Sequence, residues 1–130
     1  MKNRHLSGLL LIAFLFLFSG RVGAQNVTNA VLSKEGTLTL MVEKTAFQVI
    51  LSLEGKIISY AIKADGDISY DLHGRLKQVG YVEISYDIHD RINKIASEEF
   101  SYDLHGRLSK IGKTEINYHF VSGKIERIKG

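Results

Sequence analysis

Phe100-Ser101-Tyr102-Asp103-Leu104-His105-Gly106-Arg107-Leu108 decides how this chain is read, because it recurs. The pattern stands again at Ile68-Ser-Tyr-Asp-Leu-His-Gly-Arg-Leu and at Ile84-Ser-Tyr-Asp-Ile-His-Asp-Arg-Ile. A looser copy reads Ile116-Asn-Tyr-His-Phe-Val-Ser-Gly-Lys-Ile, with one extra residue in its turn, so that Gly123 follows its tyrosine by five positions. Tyr70, Tyr86, Tyr102 and Tyr118 fall 16 residues apart, and each copy goes on to a second apolar position at Val79, Ile95, Ile111 or Ile128. A fixed short period marks a repeat architecture. Two weaker copies precede these: Gly36, Gly55 and Gly74 are spaced by 19, each followed two residues on by Leu38, Ile57 or Leu76.

One copy reads as a β-hairpin. Ile84 and Tyr86 alternate with Glu83, Ser85 and Asp87, the two-residue period of a strand with one apolar face. Asp71-Leu72-His73-Gly74 suits a type I turn, in which Asp caps the turn backbone and Gly takes the left-handed position beside a bulge. Asp87 and Asp103 repeat the cap, and Gly106 and Gly123 repeat the glycine. Asp90 replaces glycine in the second copy, and Asp enters left-handed space more readily than most residues. Gly80, Ala96 and Gly112 fall where the next reversal is needed. Leu53-Glu54-Gly55-Lys56 and Ala64-Asp65-Gly66-Asp67 are read as further tight hairpins between alternating strands.

Aligned copies place like residues in columns. Ile68, Ile84, Phe100 and Ile116 form one predicted core column, and Tyr70, Tyr86, Tyr102 and Tyr118 form another. Ser69, Ser85, Ser101 and Asn117, and Glu83, Glu99 and Glu115, form polar outward columns. One hairpin cannot bury its own apolar face, so neighbouring copies must cover it. The predicted fold is all-β, an antiparallel meander or solenoid of short hairpin repeats with ten to twelve strands.

Residues 1–24 read as an address. Lys2 and Arg4 open them, Leu9 to Phe18 is unbroken apolar sequence, and Val22-Gly23-Ala24 offers a small-residue cleavage site. This is the pattern of a signal peptide, and the apolar run is too short for a spanning helix, which needs roughly 20 residues. Cleavage near Ala24 leaves a secreted or periplasmic domain over 25–130, with clear repeats at 68–130 and weaker ones at 30–67. The chain has 130 residues and no Cys, Pro or Trp, which leaves room for one domain and excludes disulfides, thiolate metal sites and a cysteine nucleophile. The +3 charge belongs to the leader: without Lys2, Arg4 and Arg21, 14 basic residues face 14 acidic ones. A neutral domain argues against nucleic acid as a partner.

At Tyr-Asp-Leu-His-Gly-Arg-Leu the chain resembles the YD-repeat proteins, whose units read Tyr-Asp-x-x-Gly-Arg-Leu and build all-β spiral sheets. It is closer to small secreted Bacteroidetes-type proteins with 16-residue units of this kind. The resemblance covers 68–130 well and 30–67 loosely. It implies architecture rather than activity. The shell role of the large YD-repeat proteins does not carry over, since six small units enclose no cargo domain.

Several repeated polar residues invite a chemical reading. His73, His89 and His105 recur at one turn position, with His119 nearby, and imidazole binds Zn²⁺, Cu²⁺ or Ni²⁺. Equivalent turns sit two strands apart, about 9–10 Å, which is far for ligands that must lie about 2.0–2.1 Å from one zinc. Asp71, Asp87 and Asp103 are accounted for by turn capping and by Arg75, Arg91 and Arg107 four residues on. Paired catalytic carboxylates need unequal environments, whereas a repeat supplies equal ones. No nucleophile elbow or phosphate loop is present. The sequence therefore predicts no enzyme and no cofactor. It predicts a binding or structural surface for a protein or cell-envelope glycan, no membrane span in the mature chain, and weak self-association through open sheet edges. The alternative is a periplasmic divalent-metal-binding protein using the turn histidines.

Overall fold

The structure is a computed structural model and describes residues 27–130. The expected signal peptide and its cleavage site lie outside the described residues. Four strands, β1 (Val27–Leu32), β2 (Leu38–Glu43), β3 (Phe47–Ser52) and β4 (Ile57–Ile62), form an antiparallel sheet in chain order. Eight more form a second meander, again in chain order: β5 (Ile68–Tyr70), β6 (Leu76–Val79), β7 (Val82–Tyr86), β8 (Ile92–Ile95), β9 (Glu98–Tyr102), β10 (Leu108–Ile111), β11 (Thr114–Tyr118) and β12 (Ile125–Lys129). Every pairing is antiparallel, both sheets are open, and no helix occurs among the described residues. The protein is an all-β hairpin meander.

Each clear copy is one hairpin closed by its aspartate. Asp71 Oδ1 accepts the backbone N–H groups of His73 at 2.8 Å and Arg75 at 2.9 Å, while Gly74 N–H bonds back to the Asp71 carbonyl. Asp87 and Asp103 hold their turns in the same way. In the fourth copy His119 stands in for Asp, its Nδ1 accepting the N–H groups of Val121 and Ser122 at 3.2 Å. The weaker copies use serine: Ser33 Oγ and Ser52 Oγ accept from Thr37 and Lys56. A one-residue register shift follows each of the four tip turns on the larger sheet, which turns the strand and increases its twist. Asp90 takes the left-handed position at φ 62° and bonds Arg75 of the preceding copy at 2.7 Å.

The two sheets share one core. Phe47, Val49 and Leu51 of β3 point inward with Val42 of β2, and meet Ile84, Ile92, Ile95, Phe100, Leu108, Ile111 and Ile116 of the larger sheet. Phe47 stacks on Phe100 at 5.7 Å, and Tyr60 meets the same ring edge-on at 6.5 Å. The β3–β4 tip reaches across the larger sheet. The Gly55 carbonyl accepts Leu108 N–H at 3.2 Å, and the Leu53 carbonyl accepts Ile125 N–H at 2.6 Å.

Two expectations need correction. Ala64–Asp67 makes no hairpin: it carries the chain from β4 on one sheet to β5 on the other. Gly66 there packs so closely on Gly80 that a Cβ would lie 2.8 Å from its Cα. The core columns also fail at their first copy, where Ile68 is 58% and Tyr70 64% exposed. β5 is an edge strand, and the preceding copy offers Lys56 rather than an arginine to cover the ring.

Candidate functional site

The repeat motif works between copies as well as within them. Arg75 Nε lies 2.7 Å from Asp71 Oδ2, and its guanidinium sits 4.3 Å over the ring of Tyr86 in the next copy. The Tyr86 hydroxyl donates back to the Leu76 carbonyl at 2.8 Å. Asp87, Arg91, Tyr102 and the Ile92 carbonyl repeat this set, as do Asp103, Arg107, Tyr118 and the Leu108 carbonyl. The tyrosine belongs functionally to the hairpin before it. Burial pushes the hydroxyls of Tyr102 and Tyr118 up to about 12. These rings are already occupied by arginine and so are not bare stacking platforms.

The aspartates give this coupling a pH dependence. Burial works against their ionisation, but hydrogen bonds from the backbone and guanidinium of the following arginine, and from the histidine amide, outweigh it. Each carboxyl is held below the ordinary carboxylate range. A depressed carboxyl pKa contributes stability that is complete above the unfolded value of ~3.9 and is lost as pH falls further. The melting temperature should therefore hold down to about pH 5 and drop below about pH 4. D71N/D87N/D103N should melt lower at pH 7 and show a shallower acid limb. Parallel limbs for variant and parent in a pH-resolved melt would remove the aspartates from this role.

Between β4 and the inner face of β6–β9 lies a cleft of about 540 Å³. Ile57, Tyr60 and Ile62 form one wall, and Leu76, Ile84, Ile92, Tyr86 and Tyr102 form the floor. Lys56, Asp90, Arg91 and Gly106 mark the end nearest the tip turns. Apolar walls with a few polar groups at one end are the composition of a ligand site. The cleft exists because the four-stranded sheet stops short. Its β3–β4 tip occupies the places beside Leu108 and Ile125, while the equivalent places beside Ile92 and Leu76 open into the cleft. At the same edge the turns hold up exposed large apolar side chains: Leu72, Ile88 and Leu104 in the first three copies, and Phe120 with Val121 in the fourth.

The structure distributes the remaining candidates. His73, His89 and His105 are exposed, one per turn, and no three His, Cys, Asp or Glu residues converge for a metal among the described residues. Lys94 faces Glu99 and Lys110 faces Glu115 across the outward surface. Sequence reasoning missed Lys44, which is 5% exposed and donates from Nζ to Thr114 Oγ1 at 2.7 Å, with Glu98 Oε1 at 3.9 Å. Burial lowers its pKa, opposed by Glu98. A signal was present: Val82, Glu98 and Thr114 occupy one column whose chemistry changes while Glu83, Glu99 and Glu115 beside it stay constant. Tyr60 was also missed, because β4 belongs to the diverged copies.

Comparison with protein-family models, curated proteins and solved structures finds no match for this chain. No helix among the described residues is long and apolar enough to cross a membrane.

Proposed function

We propose that this is an exported, non-enzymatic β-repeat protein that acts by binding, with the cleft beside β4 as its ligand site. One observation carries the reading. The repeated Asp, Arg and Tyr side chains satisfy one another between copies, while a cleft with apolar walls is left open where the two sheets part. Carbohydrate rings and extended peptides both suit apolar and aromatic walls with Lys56, Asp90 and Arg91 among the lining. The exposed row at Leu72, Ile88 and Leu104 repeats with the copies, which suits a partner longer than the cleft.

The test is a thermal melt of the purified protein against envelope glycans and apolar peptides. A ligand that binds only the folded state stabilises it by ~2.7 kcal/mol at a hundredfold excess over Kd. The expected result is an upward shift with one class, abolished in Tyr60→Ala at unchanged circular dichroism. A shift that survives Tyr60→Ala would move the site out of the cleft. No shift with any member of the panel would leave a structural role.

A further inference from the structure

We propose that copies of this chain join end to end, the β5 edge of one molecule continuing the β12 edge of the next. The inference is independent of the cleft and rests on the register of the repeat. Inside the chain, successive hairpins meet through a two-residue ladder. Gln78 faces Glu83 and Val79 faces Val82; Lys94 faces Glu99 and Ile95 faces Glu98; Lys110 faces Glu115 and Ile111 faces Thr114. From the second junction on, the outward pair is a lysine against a glutamate. Arg127 and Ile128 hold these places on β12, since within their hairpin they face Asn117 and Ile116 as Lys110 and Ile111 face Ser101 and Phe100. At the other end of the sheet, Gly66 and Asp67 stand 16 residues before Val82 and Glu83. Extending the pattern by one step sets Arg127 of one copy opposite Asp67 of another, a basic residue against an acidic one.

Three further features fit the same step. β5 and β12 are the two edge strands of the larger sheet, and edge strands are templates for strand addition; on β12 the Ile125 N–H is taken by the Leu53 carbonyl of the β3–β4 tip, as the Leu108 N–H inside the sheet is taken by Gly55. Their charges are opposite: Asp65 and Asp67 flank β5, while Lys124, Arg127 and Lys129 lie on or beside β12, with Glu126 the exception. The tyrosine coupling also has loose ends that match. Tyr86, Tyr102 and Tyr118 bond the carbonyls of Leu76, Ile92 and Leu108 under Arg75, Arg91 and Arg107. Next in that series come the Ile125 carbonyl and Lys124, and the tyrosine left exposed without an arginine over it is Tyr70. The joint uses different surfaces on the two partners, so it propagates as an open filament or closes as a ring rather than stopping at a dimer.

Charge reversal tests the joint at exposed positions that leave each monomer's core untouched. Sedimentation of the purified protein should show mass growing with concentration. Asp67→Arg sets two basic residues opposite each other at the joint and Arg127→Asp sets two acidic ones, so each alone should weaken association by roughly tenfold or more. Mixed in equal amounts they should associate again, because each then offers the edge the other lacks. In the Cys-free background, D67C/R127C should give a ladder of disulfide-linked species that reductant collapses. A protein that stays monomeric at all concentrations, single variants that associate like the parent, a mixture that stays dissociated, or an oxidised sample with no ladder would each overturn the proposal.

Discussion

Gly55→Val should lower the melting temperature by roughly 15 °C or more, at ~4–8 °C per kcal/mol for a domain of this size. Two costs add at this position. Gly55 sits at φ +83°, where a β-branched residue costs about 1–3 kcal/mol in backbone strain. A Cβ built there would also lie 1.9 Å from the Tyr118 hydroxyl. Either the tip withdraws or the tyrosine does. Withdrawal releases Leu108 N–H from the Gly55 carbonyl and Ile125 N–H from the Leu53 carbonyl. Displacing Tyr118 releases the Leu108 carbonyl and empties the place beneath Arg107. Each lost hydrogen bond is worth about 1 kcal/mol, and more where the group left behind stays buried. Gly106→Val separates the costs: Gly106 has φ +78° but nothing within 4 Å of an added Cβ, so strain alone remains. A markedly larger drop for Gly55 in parallel melts is expected. Equal drops would mean that the β3–β4 tip is not anchored to the larger sheet, and the cleft would lose one of its walls.

The larger sheet was legible because its signals are local. Asp71, Asp87 and Asp103 close their turns within four residues, Gly74 and Gly106 take the left-handed position, and Ile84 and Tyr86 alternate with polar neighbours. A period of 16 then multiplied a weak hairpin signal into a firm one. What the repeat could not convey is where it ends. Ile68 and Tyr70 carry the same letters as Ile84 and Tyr86, yet they are exposed because burial depends on what lies beside a copy, not on the copy itself. Ala64–Asp67 failed for a related reason. Its glycine and acidic residues encode a reversal, but whether a reversal closes a hairpin or changes sheets is settled by packing, here of Gly66 against Gly80. The cleft and the Lys44 contact with Thr114 join residues from sheets that no local pattern relates. The tyrosine–arginine coupling also spans copies, and only Asp71–Arg75 and its equivalents, four residues apart, were visible in advance.

Tyr102→Ala against Tyr70→Ala tests that coupling most sharply, because sequence treats the two residues as equivalent. Tyr102 donates to the Ile92 carbonyl at 2.6 Å, lies beneath the Arg91 guanidinium at 4.1 Å and packs against the core. Its removal leaves a cavity, an unsatisfied carbonyl and an arginine without its ring. Truncation of an aromatic side chain in such a place costs about 3–5 kcal/mol. Tyr70 lies on an edge strand, 64% exposed, and surface substitutions away from special features stay within about 0.5 kcal/mol. Denaturant titration at low protein concentration should therefore show a midpoint loss for Tyr102→Ala and almost none for Tyr70→Ala. Tyr102→Phe isolates the hydroxyl and should cost about 1 kcal/mol. Comparable losses at positions 70 and 102 would show that the tyrosine stabilises its own hairpin. The difference expected here places its energy in the junction with the hairpin before it, which makes stability a property of neighbouring pairs. A first copy with no such predecessor then adds little of this energy within its own chain, and its exposed edge is the surface a second molecule would complete.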